Sequence, residues 1–184
     1  VTSGEEISWA LSGSELTFTA SQDFNGSESF TATITDGEFS ASQTFTVTVN
    51  AINDAPTLAA VAGVSFAEDG SSSLTLSGDD VDGDDLTYSI SSGTDIAALI
   101  DGVNITFTAS QDFNGSEEFT VIVTDGEFSA SQTFTVTVTP VNDAPTLASV
   151  DTVSFDEDGS GLTTLSGSDV DGDDLTYSIS GGVD

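Results

Sequence analysis

"SQDFNGSEEFTVIVTDGEFSASQTFTVTV" occupies residues 110–138, and "SQDFNGSESFTATITDGEFSASQTFTVTV" occupies residues 21–49. The offset is 89 residues, without a gap. The same offset relates "NDAPTLA" at Asn53 to its copy at Asn142, and "DVDGDDLTYSIS" at Asp80 to its copy at Asp169. Self-similarity at a fixed period marks a tandem array of one module. Residues 53–141 then form one complete repeat. Residues 1–52 correspond to the C-terminal half of a preceding repeat, and 142–184 to the N-terminal half of a following one.

Inside the repeat the apolar period is two, the signature of half-buried strands. Phe134, Val136 and Val138 alternate with Thr, as do Ile105 and Phe107, and Phe119, Val121 and Val123. Shorter runs begin at Val64, Ser73, Leu86 and Ile96. Turn chemistry separates them at Glu68-Asp69-Gly70, Asp82-Gly83-Asp84, Asp101-Gly102, Asn114-Gly115 and Asp125-Gly126. No stretch carries a helical period of useful length. Seven short strands in 89 residues predict an all-β fold, a seven-stranded Greek-key β-sandwich repeated in tandem. Thr at the outward positions keeps such strands soluble without charge. The linker "TPVNDAPT" holds Pro140 and Pro145 and reads as short and semi-rigid.

Composition limits the partners. The 184 residues include 32 Asp plus Glu and no Lys, Arg or His, for a formal charge of −32. A hydrophobic content of 36% with 12 Phe supplies small cores, so the acidity does not imply disorder. Nucleic acid and anionic membrane surfaces need basic residues that are absent. No apolar run approaches a membrane span, and the start "VTSGEE" is not a signal peptide. A fragment or processed product is expected, with any export signal or anchor outside it. There is no Cys for disulfides, and neither His nor Cys for zinc or copper. What remains is a dense supply of hard oxygen donors, the ligand set of Ca2+.

The order of motifs "VNDAPT", "FAEDG", "DVDGDDLTYSI", "QDFNG" and "VTDGE" resembles cadherin repeats, and most of all the cadherin-like tandem repeats of large bacterial surface proteins and adhesins. The resemblance covers the whole chain. It implies a cadherin/Ig-like sandwich whose junctions bind Ca2+. At the first junction it implies ligands from Asp23, Asn53, Asp54, Asp80, Asp82 and Asp125. At the second it implies Glu68, Asp112, Asn142, Asp143, Asp169 and Asp171. The sequence departs from the cadherin pattern in three places. The linker is one residue shorter, Asn50 or Thr139 stands where cadherins place a leading Asp, and "QDFNG" replaces an Asp-x-Glu pair.

Each motif has a plainer reading. Asp80-x-Asp82 can be a solvated acidic turn, and Glu68-Asp69-Gly70 a turn without a ligand. An EF-hand at Asp80 fails, because Asp85 and Ser91 stand where that loop needs Gly and a carboxylate. Asp84 and Asp85 are secondary candidates. Asn25, Asn104 and Asn114 fit the glycosylation pattern, and equally a turn or a Thr-rich strand. Trp9 and Tyr88 read as core or sheet-surface residues.

With no His, Cys or Lys to act as nucleophile or near-neutral base, catalysis is not expected. The expected role is a secreted, cell-surface stalk or fibre stiffened by Ca2+, whose partners are calcium ions and neighbouring identical repeats. Two alternatives remain at this point: a filament subunit that completes half-sandwiches head to tail, and an adhesive module for a receptor or glycan.

Overall fold

The computed structural model describes residues 6–182, and among them strands, turns and loops account for every residue, with no helix. There is accordingly no helix long and apolar enough to cross a membrane. Among the described residues fifteen strands follow one another. The first four are β1 (Ile7–Ser12), β2 (Glu15–Ala20), β3 (Gly26–Thr35) and β4 (Ser40–Val49). Next come β5 (Thr57–Leu58), β6 (Val64–Ala67), β7 (Ser71–Thr75), β8 (Gly78–Asp79), β9 (Thr87–Ile90), β10 (Ile96–Asp101), β11 (Asn104–Ala109), β12 (Gly115–Thr124) and β13 (Ser129–Thr139). The last two are β14 (Thr146–Leu147) and β15 (Gly167–Ser168). Each of the seven runs expected as strands from Val64 to Thr139 falls on a strand here. Two further strands of two residues each, β5 and β8, pair antiparallel through Thr57↔Asp79 and Leu58↔Gly78.

By contact the chain divides into two compact units. One holds the chain up to Ala60 with Leu76–Ser89 and Val121–Gln132; the other holds Val61–Thr75, Ile90–Thr120 and the chain from Thr133 onward. In the first, β1 and β2 form a hairpin and β3 and β4 a longer one, in register from Gly26↔Val49 to Thr35↔Ser40. In the second, β11 lies between β10 and β7 in one antiparallel sheet. The facing sheet has the order β6-β13-β12-β9, and β6 runs parallel to β13 from Val64↔Val136 to Ala67↔Thr139.

The alternation in the sequence decides which side chains fill the sandwich. Ile96, Ile105, Phe107, Phe119, Val121, Val123 and Val136 are fully buried. Phe107 from one sheet meets Phe119 and Phe134 from the other, with ring centroids 5.5 and 6.0 Å apart in edge-on geometry. Such pairs add about 0.5–1.5 kcal/mol beyond area burial. Phe18, Phe30 and Phe45, each 89 residues before its counterpart, form the same trio at 5.1 to 6.2 Å, with the rings half-buried. Trp9, in β1, is likewise half exposed, on the sheet surface rather than in a core.

The opposite face carries hydroxyls. Ser27 faces Thr48 at 2.9 Å, Thr31 faces Thr44 at 3.1 Å and Thr33 faces Ser42 at 2.8 Å. Ser116–Thr137 and Thr120–Thr133 repeat the pattern 89 residues on. Cross-strand hydroxyl pairs of this kind support the register.

One carboxylate is built into the scaffold. Glu117 accepts hydrogen bonds from the backbone N–H groups of Thr94, Asp95 and Ile96 at 3.0, 2.8 and 3.4 Å. Gly93 makes room for it, since a Cβ there would sit 2.3 Å from Glu117 Oε2.

Urea unfolding gives a paired test of this packing. Phe107→Ala should cost about 3–5 kcal/mol, as expected for a fully buried ring. Phe128→Ala, at a ring 43% exposed, should cost clearly less. Equal losses would contradict the burial described.

Candidate metal centre

The candidate ligands lie in turns and linkers at the strand ends. Their geometry starts from the short reach of Asp, which folds back on its own turn. Asp80 Oδ1 accepts the N–H groups of Asp82 and Asp84 at 2.9 and 3.4 Å. Asp169 Oδ1 does the same with Asp171 and Asp173 at 3.0 and 3.3 Å. Gly83 and Gly172 close these turns at φ of 79° and 78°. Each loop then projects its second Asp toward the linker. Asp82 Oδ2 accepts from the N–H of Asp54 at 2.8 Å, and Asp171 Oδ2 from the N–H of Asp143 at 2.7 Å.

At the first junction these bonds gather Asp54, Asp80 and Asp82. Asp23, Asp54 and Asp82 line one cavity of about 280 Å3, with Phe24 and Ile52 on its wall. Asp80 Oδ2 is shielded from solvent and has no hydrogen-bond donor among the described residues. Desolvation, and then the charges of Asp23, Asp82 and Asp80, hold the Asp54 carboxyl above its ordinary value of 3.8. Asn53 and Asp125 join differently. The Asn53 amide donates to Asp125 Oδ2 at 3.0 Å. Asp125 Oδ1 accepts from the N–H groups of Glu127 and Phe128 at 2.7 and 2.6 Å. Desolvation acts to raise the Asp125 carboxyl, but these bonds outweigh it, and the net direction is downward.

At the second junction the convergence is closer. Carboxylate oxygens of Glu68, Asp143 and Asp171 lie within 4.8 Å of one another, and so do those of Asp69, Asp112 and Asp143. Glu68 is 4% exposed. Its Oε1 accepts from the N–H of Val141, and its own N–H donates to Thr139 O at 3.0 Å, so the end of β13 clamps it in place. Asp143 Oδ2 is shielded and has no donor among the described residues. Desolvation comes first, followed by the charges of Asp112, Asp171, Asp69 and Glu68, in holding the Asp143 carboxyl above 3.8. Asn142 turns aside, its amide donating to Asp143 O at 2.9 Å.

The carboxylates that meet here all belong to the expected ligand sets except Asp69, which the sequence marks only as part of a turn. Asp69 adopts φ of 60°, as Asp23, Asp112 and Asp158 do at 58°, 57° and 66°. This left-handed backbone is uncommon outside glycine. The recurrence of Glu-Asp-Gly at Glu157 was the one signal in the sequence that could have singled Asp69 out.

Clustered carboxylates that are desolvated and short of donors repel unless a proton or cation joins them. The donors are all hard oxygens at short mutual distance, so the residues fit a divalent ion such as Ca2+. Glu68, Asp143 and Asp171 would hold it at the second junction, and Asp54, Asp80 and Asp82 at the first.

Comparison with known proteins bears on the fold. A family profile described as bacterial Ig domain matches residues 1–50 and 53–139. No curated protein sequence matches the chain. Among solved structures, extracellular cadherin domains 1–5 of protocadherin gamma B2 are 20% identical with a TM-score of 0.56, over 83% of this chain and 34% of that one. Human protocadherin-24 EC1-2 is 23% identical with a TM-score of 0.42, over 60% and 59%. An endo-fucoidan hydrolase of glycoside hydrolase family 107 is 19% identical with a TM-score of 0.39, over 74% and 22%. The first likeness is one of fold. The two lower scores carry no argument. The chain spans between 22% and 59% of the length of these three.

The carboxyl shifts set a pH profile for the chain in chelator. Asp54 and Asp143 have raised values, so the repulsion they suffer is relieved as pH falls through those values, and the relief is complete below 3.8. Asp36 and Asp125 have lowered values, as does Glu117 against its ordinary 4.5. Their stabilisation is present above the ordinary values and is lost as pH falls through the lowered ones. Melting temperature in EGTA should therefore rise as pH falls from 7 through the raised values of Asp54 and Asp143, and fall again once the lowered values of Asp36, Asp125 and Glu117 are passed. A monotonic fall from pH 7 downward would contradict this assignment.

Proposed function

Since the chain belongs to the bacterial Ig domain family, we propose that it is a non-catalytic structural or adhesive segment of an extracellular surface protein, held straight by Ca2+ at the junctions of its 89-residue repeats. The observation that carries this reading is the meeting of Glu68, Asp143 and Asp171. They come from the turn after β6, the linker and the Asp169 loop, their oxygens lie within 4.8 Å, and no side chain in the protein can neutralise them.

The mechanism is electrostatic. The chain's own residues do the positioning: the β6–β13 pairing sets Glu68, the linker sets Asp143, and the Asp169 turn aims Asp171. A bound Ca2+ supplies two positive charges at that point. The linker then loses freedom, because Asp143 within it shares an ion with carboxylates before and after it in sequence. Without the ion the same carboxylates push apart and the linker bends. The repeats proposed are 53–141 as the complete one, flanked by parts of its neighbours, and the partners are calcium ions and adjacent identical repeats. Extracellular Ca2+ is millimolar, in the affinity range of weak modular sites. A Cys-free chain of charge −32 is compatible with export before folding and gives nucleic acid nothing to bind.

Calcium titration with EGTA reversal tests the proposal through melting temperature and small-angle scattering. Ca2+ should raise the melting temperature and narrow the distribution of particle lengths about a longer mean, and EGTA should reverse both. Asp143→Asn should abolish most of the response, whereas Asp101→Asn, on a plain hairpin turn, should leave it intact. A wild-type chain indifferent to Ca2+ in both readouts would rule the mechanism out.

A further inference from the structure

We propose that β6 and β13 form a load-bearing clamp, latched by Glu68, that resists tension along the repeat array. The tension rests on the reading of the chain as a surface segment; the clamp itself is a property of the fold and needs no ion. A pull along the array enters the complete repeat through the linker at Asn53 and leaves through the linker at Asn142. β5 holds to β8 through two rungs. The first longer strand to take the load is then β6, and the last is β13. These two lie side by side and parallel, with rungs Val64↔Val136, Ser65↔Thr137, Phe66↔Val138 and Ala67↔Thr139.

In a parallel pair the N-terminal end of one strand and the C-terminal end of the other lie at opposite ends of the ladder. Pulling on those two ends slides the strands past each other, so every rung shares the load. An antiparallel pair such as β3 and β4, loaded at its two free ends, opens one rung at a time instead. The far end of the β6–β13 ladder is reinforced. The Glu68 N–H donates to Thr139 O at 3.0 Å, and the Thr139 hydroxyl donates to Phe66 O at 3.4 Å. Glu68 Oε1 accepts from the N–H of Val141. Glu68 therefore grips the chain on both sides of Pro140, where the force leaves the repeat. At the near end Gly63 approaches β13 so closely that a Cβ there would stand 3.2 Å from Thr135 O. Phe66, Glu68, Val136 and Val138 are all buried, so water has little access to replace a strained rung.

The test is single-molecule stretching of the full 184-residue chain in EGTA. The chain has no Cys, so thiol handles attach only where one is introduced. In one geometry a Cys is added at each end of the chain. In the other the second handle moves to Glu127→Cys, in the exposed loop that leads into β13. Both strands are then pulled from the same end of their ladder and peel apart. Opening under force follows the unfolding rate, and end-to-end stretching should need at least about twice the force of the peeling geometry. Equal forces would overturn the clamp. In the end-to-end geometry Glu68→Ala should lower the force, whereas Glu68→Gln, which keeps an acceptor for the Val141 N–H, should retain it. Both variants remove the same charge, so a drop in both or in neither would overturn the latch. The comparison of handles leaves β6, β13 and Glu68 untouched, so it decides the clamp even where Glu68→Ala does not fold. With calcium chelated throughout, a failed clamp leaves the calcium mechanism standing.

Discussion

No side chain in this protein carries a positive charge, so each of its 32 acidic groups must be stabilised by water, by an amide, by a proton or by an ion from outside. The fold sorts its carboxylates by that choice. Glu117 is saturated by three backbone N–H groups and serves as a structural anchor. Asp125 is satisfied by two N–H groups and the Asn53 amide. Asp80 and Asp143 each retain a shielded oxygen without a donor among the described residues, and they stand where other carboxylates gather. The proposed metal chemistry is concentrated in the groups that the backbone leaves unsatisfied.

The sandwich makes that sorting possible. Its two sheets are locked by the Phe107, Phe119 and Phe134 contacts, and hydroxyl pairs line its outer face. Most of the acidic residues lie in turns and loops. Those turns are short and hold a glycine, so an Asp side chain can reach a backbone N–H 28 residues away, as Asp82 does at Asp54 and Asp171 does at Asp143. The repeat copies this arrangement with the same bonds.

Much of this was legible in the residues. The 89-residue copies and the alternation of Phe119, Val121 and Val123 pointed to strands and to their buried faces, because a period of two has one structural meaning. The turn loops at Asp80 and Asp169 were legible because Asp-x-Asp-Gly has few conformations. Other features were not. Asp69 takes the left-handed backbone that its neighbour Gly70 was the obvious residue to take, and a single sequence does not say which of two adjacent residues bends. Glu117 sits in a strand whose pattern announces only the alternation, and its partners lie in a loop more than 20 residues earlier. These are matters of tertiary proximity, which local pattern does not encode.

The central claim is that carboxylates from successive turns meet on a shared ion. Anomalous diffraction from crystals grown in calcium would test it most directly. The account expects a strong peak bounded by oxygens of Glu68, Asp143 and Asp171, at the roughly 2.3–2.6 Å typical of Ca2+. A map in which those three carboxylates diverge into solvent, with no anomalous signal among them, would contradict it.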